Sequence, residues 1–318
     1  MVRLSRPVSG QVFSGRIPMP DHELTRPLRS FLFVPGDSEK KLGKVRESTA
    51  DAVILDLEDS VSPSRKSAAR EMVAGFLDAE RSTTDRPQLW VRINPLDSGS
   101  ALEDLAGVVG AGPAGIMIPK INGPGDVRQV QNYVEAMATM AGLQATDIKL
   151  LPVATETPVA PFHLGNFASA GIGQLYGLTW GAEDLSAALG ASTNVDAQGE
   201  WAFTYRMARS LTLMGARAAG IEAVETLYVD IKDSEGLAES SRHARAEGFS
   251  GRIAIHPAQV DVINEAFTPT EAEVDIARRI VAAFEGEVGT VALDGKMLDL
   301  PHLRQAERVL AVAEAIES

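Results

Sequence analysis

The chain contains no cysteine, which excludes a disulfide, a thiolate metal site and a cysteine nucleophile. Its chemistry must therefore rest on oxygen and nitrogen groups. It also lacks any apolar run near the ~20 residues that a membrane-spanning helix requires. The stretch over 1–27 has no continuous apolar core of the kind a secretory signal carries. Arg3, Arg6, Arg16 and Arg26 in that stretch hint at organelle targeting, but Asp21, Glu23 and the prolines fit a disordered leader better. A cytoplasmic location is the expectation. Positive charge is scarce as well: 30 Lys and Arg face 43 Asp and Glu, for a net charge of -13. Such a surface repels polyanions, so nucleic acid and anionic membranes are not expected partners, while a phosphorylated small molecule remains compatible with a local basic pocket.

What is present is the composition of a soluble globular enzyme, 45% hydrophobic and 23% charged, with enough apolar side chains for a sizeable core. A length of 318 residues admits one large domain or two small ones. Short β-branched runs alternate with amphipathic helical patterns, the mark of a parallel α/β sheet. Eight strands are expected, over 30–34, 52–57, 89–93, 115–119, 149–154, 175–180, 224–231 and 252–255. Helical spacing is clearest over 64–77, where Ala69, Met72, Val73, Phe76 and Leu77 share a face. Asp126 and Ser234 are candidate caps of two further helices, and 200–219 reads as a longer one. Pro158 and Pro161 delay any helix between the fifth and sixth strands, and 122–125 (NGPG) reads as a turn.

Eight strand-then-helix units match a (β/α)8 TIM barrel better than an open doubly wound sheet. The polar residues agree with this. Strand two runs into Asp56, Glu58 and Asp59, strand three into Arg92 and Asn94, strand four into Lys120, strand five into Glu156, strand six into Glu183 and Asp184, and strand eight into His256. Strand ends of such a barrel converge at one mouth, so residues far apart in sequence would face one space there. Any one of them is also explained by solvent beginning where a strand stops. The set is harder to explain that way. Beyond strand eight, Thr270 and Glu273 have capping-box spacing, and a Gly-containing segment leads to a last helix carrying Leu303, Ala306, Val309, Leu310 and Ala313. The expected division is a leader over 1–27, a barrel over 28–285 and a C-terminal lid or oligomerisation extension over 286–318.

Nine short motifs occur in order: RSFLFVPG at 29–36, AVILDLED at 52–59, VRIN at 91–94, IMIPK at 116–120, the Glu156-Thr157 pair, GAED at 181–184, IHP at 255–257, NEAFTP at 264–269 and GKMLD at 295–299. In this series the chain closely resembles the citrate lyase β-subunit and malyl-CoA lyase family (HpcH/HpaI aldolases, CoA ester lyases) from Arg29 to the C-terminus. The resemblance implies a Mg2+-dependent CoA ester lyase that cleaves or forms a carbon–carbon bond in a malyl-CoA- or citramalyl-CoA-like 3-hydroxyacyl-CoA. It implies acyl-CoA and 2-oxoacid as partners, and a homotrimer or hexamer in which one subunit's tail covers its neighbour's site.

Carried over by position, Glu156 and Asp184 match the metal-binding carboxylates, and a hard dication does prefer oxygen ligands. Arg92 matches the arginine that binds the oxoacid, where a planar guanidinium suits a carboxylate. Phe33 and Lys44 match positions that contact coenzyme A. Asp299 matches the tail aspartate assigned to proton transfer, with Asp294 as the neighbouring alternative. Glu58, Asp59 and Lys120 are expected to orient the groups around the metal, and His256 to shape the rim. Two departures bear on substrate preference. Ser38 stands where many relatives have arginine, and Thr157-Pro-Val-Ala160 replaces small residues and a glycine. The competing readings are a thioesterase acting on the same esters, a citrate lyase β-like subunit acting on an acyl carrier protein, and a non-catalytic barrel, which the retained Arg92, Glu156, Asp184 and Asp299 argue against.

Overall fold

The computed structural model describes residues 28–84, 86–285 and 289–317; the expected leader lies outside them. Along the chain the elements are β1 (Ser30–Pro35), α1 (Glu39–Leu42), β2 (Ala52–Asp56), α2 (Lys66–Glu80), β3 (Gln88–Arg92), α3 (Ala101–Val108), β4 (Gly115–Ile118), α4 (Pro124–Met140) and β5 (Lys149–Pro152). There follow β6 (Gly177–Thr179), α5 (Ala182–Leu189), α6 (Phe203–Ala218), β7 (Glu222–Glu225), α7 (Ser234–Glu247), β8 (Gly251–Ala254), α8 (Val260–Phe267), α9 (Glu271–Ala283), β9 (Thr290–Leu293), β10 (Lys296–Asp299) and α10 (Leu300–Glu317). The first eight strands form one parallel sheet in the order β5-β4-β3-β2-β1-β8-β7-β6. Parallel bridges Leu150↔Leu175 and Val153↔Thr179 join its two edges. The result is a (β/α)8 TIM barrel.

Strand side chains alternate between the two sides of the sheet, and this alternation divides the core in two. Phe31, Ala52, Ile54, Trp90, Met117, Leu151, Val153, Val224 and Ile253 fill the barrel interior. Their neighbours, such as Leu32, Val53, Leu55, Val91, Ile116 and Leu150, point out to the helices. In α2 the buried apolar residues are Ala69, Val73 and Leu77, the stripe expected from the spacing, while Met72 and Phe76 are partly buried beside it. Gly115 is needed for a packing reason: a Cβ there would lie 2.3 Å from the Trp90 ring.

Several expectations required adjustment. β7 stops at Glu225 rather than continuing to 231; on one side β6 ends at Thr179, the partner of Val224, and on the other the last β7 pairing is Glu225 with Arg252 of β8. The 122–125 segment opens α4, with Pro124 in its first turn, where the missing N–H costs nothing. Asp126 accepts from the Asn122 N–H at 2.7 Å from inside that turn. Asp233, not Ser234, caps α7 by accepting from Gly236 N at 2.9 Å. The delayed link between β5 and β6 is a run of 3-10 turns over Ala160–Ser169, and α5 was not expected at all.

The capping box at α9 is present, with Thr270 and Glu273 bonding reciprocally. In the tail, β9 and β10 make an antiparallel hairpin. It turns at Asp294 and Gly295, both with positive φ (51° and 74°), as a two-residue hairpin turn requires. α10 then lies against α9, and Arg308 Nη2 comes within 3.7 Å of Glu222 Oε2 at the start of β7.

Candidate active site

Register and alternation place the first functional side chains. Asp56 on β2 is the register partner of Arg92 on β3, both point inward, and Phe33 projects from β1 into the same layer. Arg92 donates from Nε and Nη2 to the two carboxylate oxygens of Asp56, each at 2.7 Å. Its guanidinium lies 4.5 Å from the Phe33 ring centroid. Nη1 is 2.9 Å from Glu58 Oε2, an ion pair without hydrogen-bond alignment. The side-on fork of the guanidinium is therefore taken by Asp56, and a ligand carboxylate would be met by the remaining donors on Nη1 and Nη2.

The other charged groups close around this pair. Lys120 Nζ lies 2.5 Å from Glu58 Oε1 and 3.4 Å from both Asp59 Oδ1 and Asp184 Oδ1. Its backbone N–H donates to Glu156 Oε2 at 2.6 Å. Glu156 is buried, and its Oε1 makes no hydrogen bond among the described residues. Gly181 lies against that carboxylate: a Cβ there would come within 2.9 Å of Glu156 Cγ. Thr155 Oγ1 holds the same glycine by accepting from its N–H at 3.1 Å. Asp184, in the first turn of α5, has the Lys120 ammonium as its ion-pair partner.

The electrostatics follow from burial and neighbours. Burial, with the nearby Asp184 and Glu58 charges, pushes the Glu156 carboxyl up to about 8, against the Lys120 N–H that favours its charged form. Burial also raises Glu58, although Arg92 and Lys120 oppose it. Burial works against the Asp56 charge too, yet the Arg92 clamp outweighs it and brings that carboxyl below its usual range. These carboxylates repel one another in a poorly solvated space, an arrangement that a divalent cation would relieve. Glu156 and Asp184 both line the cavity and both contact Lys120, and such oxygen donors would suit a hard dication that keeps waters for its other positions.

All of this borders a cavity of about 1150 Å³ at the C-terminal mouth, lined by Phe33, Asp56, Asp59, Arg92, Glu156 and Asp184 among others. One rim carries Lys40, Lys41 and Lys44, so Lys44 is one of three ammonium groups there. His256 follows β8, the strand beside β1, and also lines the cavity; its Nδ1 accepts from Ala258 N at 3.2 Å and helps cap a 3-10 turn. No described residue of the tail lines this cavity. Asp299 lies at the end of β10, half-exposed, with its Oδ1 2.5 Å from His302 Nδ1. Asp294 pairs with Arg279 at 2.6 Å.

Two features escaped sequence reasoning. The Asp56 clamp on Arg92 becomes visible only when β2 and β3 are in register. Lys40 and Lys41 carried a usable signal, since with Lys44 they fall within the five-residue span 40–44 that follows β1.

The HpcH/HpaI aldolase/citrate lyase family model matches residues 29–257. The chain belongs to this family. A second model, for C–C bond lyases of the TIM-barrel fold, matches residues 201–316 and so includes the tail. Among relatives of this family member, the mitochondrial citramalyl-CoA lyase of Rattus norvegicus is 32% identical, over 92% of this chain and 87% of its own length. The (3S)-malyl-CoA thioesterase of Cereibacter sphaeroides is 33% identical, over 91% and 96%. Among solved structures, the CitE protein of Mycobacterium tuberculosis, crystallised with magnesium, acetoacetate and coenzyme A, superposes with a TM-score of 0.72. It is 34% identical, over 92% of this chain and 99% of that one. No helix among the described residues is long and apolar enough to cross a membrane.

Proposed function

We propose that this chain is a Mg2+-dependent CoA ester lyase that cleaves or forms a carbon–carbon bond in a 3-hydroxyacyl-CoA of the malyl-CoA or citramalyl-CoA type. The observation that carries this reading is one cavity holding, at its base, the Glu156 and Asp184 carboxylates beside Arg92 and, at its rim, three lysines. Glu156 and Asp184 would hold the metal, and Arg92 would bind the substrate carboxylate through the donors that Asp56 leaves free. Asp56, Glu58, Asp59 and Lys120 hold Arg92 and the carboxylates in place. Lys44, with Lys40 and Lys41, suits the phosphates of coenzyme A, and Phe33, which faces Arg92, would form an apolar wall.

In the cleavage direction the hydroxyl oxygen gives its proton to water in the open cavity, which balances the proton later gained at carbon, its C–O bond becomes the carbonyl of a 2-oxoacid, and the adjacent carbon–carbon bond breaks. The bonding pair passes to the thioester fragment as an enolate, which takes up a proton at carbon to leave a short acyl-CoA. Mg2+, when bound, supplies Lewis-acid stabilisation of the oxygen charge that develops. Arg92 orients the substrate carboxylate so that the breaking bond is presented to the cavity. Asp299 is assigned the proton transfer to carbon. Since no described residue of the tail lines its own barrel's cavity, Asp299 would serve a neighbouring copy in a homo-oligomer, with 286–318 as the lid. A trimer or hexamer in the cytoplasm is the form in which we expect this enzyme.

The thioesterase reading is kept as the second one, because a relative with that activity is as similar in sequence as the lyase relative. Incubation of the Mg2+-loaded protein with malyl-CoA, citramalyl-CoA and citryl-CoA, followed by product identification, separates the two. A 2-oxoacid with intact short acyl-CoA is expected; free CoA with the corresponding free hydroxy acid would select the thioesterase. A requirement for an acyl carrier protein would select the citrate lyase β-like role. Asp299→Asn and Arg92→Ala proteins, each nearly inactive, should regain activity when mixed as hetero-oligomers. No recovery in demonstrated mixed oligomers would remove the shared-site assignment.

A further inference from the structure

Lys120 is one residue with two different grips on the site. Its backbone has φ 51°, the left-handed region that L side chains rarely adopt. In that conformation its N–H reaches Glu156 Oε2 at 2.6 Å. Its ammonium turns the other way, 2.5 Å from Glu58 Oε1 and 3.4 Å from Asp59 and Asp184. Five carboxylates (Asp56, Glu58, Asp59, Glu156, Asp184) thus meet two cations, and Arg92 is committed to Asp56 and Glu58. Lys120 is the cation that touches the Asp184 side of the cluster.

We propose that Lys120 is a positioning residue acting as a built-in counter-cation: its ammonium holds Asp184 together with Glu58 and Asp59 before a divalent cation arrives, and it competes with that cation for Asp184. This rests on the reading of Glu156 and Asp184 as the metal-holding pair. The physical basis is Coulombic. A positive group a few ångströms from a dication in a partly desolvated site opposes its binding, and the same group relieves carboxylate repulsion when the dication is absent. Removing the ammonium should therefore have opposite effects on the two states.

The test is thermal melting of the full chain in EDTA and across a Mg2+ titration, for wild type, Lys120→Met, Lys120→Gly and Lys120→Arg. Glycine keeps the left-handed backbone and the N–H donor to Glu156 while removing the charge; arginine keeps the charge. Lys120→Met and Lys120→Gly are expected to melt lower than wild type in EDTA. They should gain more from Mg2+, with apparent affinity tightened by about tenfold or more. Lys120→Arg should follow wild type in both. A Met protein that folds only with Mg2+ is the extreme of the same result.

A purely structural role would lower all melting curves in parallel and leave the Mg2+-induced shift unchanged, and that outcome overturns the proposal. So does an Arg variant that behaves like Met. If wild type itself gains nothing from Mg2+ or Mn2+, the metal reading of Glu156 and Asp184 fails, and this inference fails with it. An equal Mg2+ shift in all four proteins removes the Lys120 inference alone.

Discussion

At the N-terminal end of the barrel, Phe31, Trp90 and Tyr176 meet edge to face with ring centroids 5.5–5.9 Å apart. Two residues further along β1 and β3, on the same inward face, stand Phe33 and Arg92, and the interior becomes a network of carboxylates and cations. The two ends share strands, twist and alternation. They differ in what covers them. The aromatic end is closed by the fully buried Phe31 and Trp90 with the partly buried Tyr176 against them, and it stabilises the fold. The open end accumulates like charges that the fold must hold with Arg92 and Lys120, and it can do chemistry because those charges are incompletely neutralised.

The sharpest way to break this comparison is at the closed end. Trp90 is fully buried, and Trp90→Ala should cost about 3–5 kcal/mol, the usual range for emptying a large aromatic site in a core. Urea unfolding measures it; a loss under about 1 kcal/mol would mean that the aromatic cluster does not carry the closed end. At the open end, Arg92→Lys keeps the charge but loses the planar donors that serve Asp56 and the ligand together. The expected result is a fall in kcat/KM of roughly 100-fold, about 2.7 kcal/mol, with the fold retained. Wild-type kinetics would contradict the assignment.

A smaller effect of opposite sign is expected from Glu156→Gln. Burial raises this carboxyl in the folded state to about 8, well above the ordinary glutamate range. The folded protein therefore holds the proton more tightly than the unfolded one. The stabilisation this gives is complete below the unfolded value and is lost as pH rises through the folded one. Glutamine keeps an acceptor for the Lys120 N–H and cannot ionise. In EDTA the variant should melt near wild type at about pH 4.5 and several degrees above it at pH 8, while losing Mg2+-supported activity. A melting difference that does not change with pH would refute the burial argument. The smallest effect belongs to the rim. Lys44 is exposed, and Lys44→Gln should raise KM for the CoA ester only about threefold to tenfold, an effect that shrinks as salt is added; no change in KM at low salt would remove Lys44 from CoA binding.

The mouth was easier to find in the sequence than its internal wiring. Polar residues at successive strand ends were legible because a strand announces itself by a short β-branched run and its end by the first charge. Glu156 and Asp184 were visible in that way. The Asp56 clamp was not, although Asp56 was noted at its strand end, because only the register of β2 against β3 makes it the partner of Arg92. The left-handed backbone of Lys120 was equally hidden, since nothing in an Ile-Pro-Lys-Ile sequence announces a positive φ on a lysine. α5 was missed because its eight residues are too short for a helical period to stand out from the strand before it.

Local sequence thus determined the alternation of strands and helices, the buried stripe of α2, the capping box at Thr270 and the identity of the charged groups. Each of these depends on residues within a few positions of one another, where backbone preference and side-chain period act directly. Tertiary structure alone decided which charges meet. Closing eight strands into a barrel brings Glu58, Lys120, Glu156 and Asp184 from four separate β–α units to within a few ångströms, and it takes them partly out of water. Only then does a carboxylate rise to about 8 or an ammonium bridge three acids, because distance and burial are properties of the folded chain.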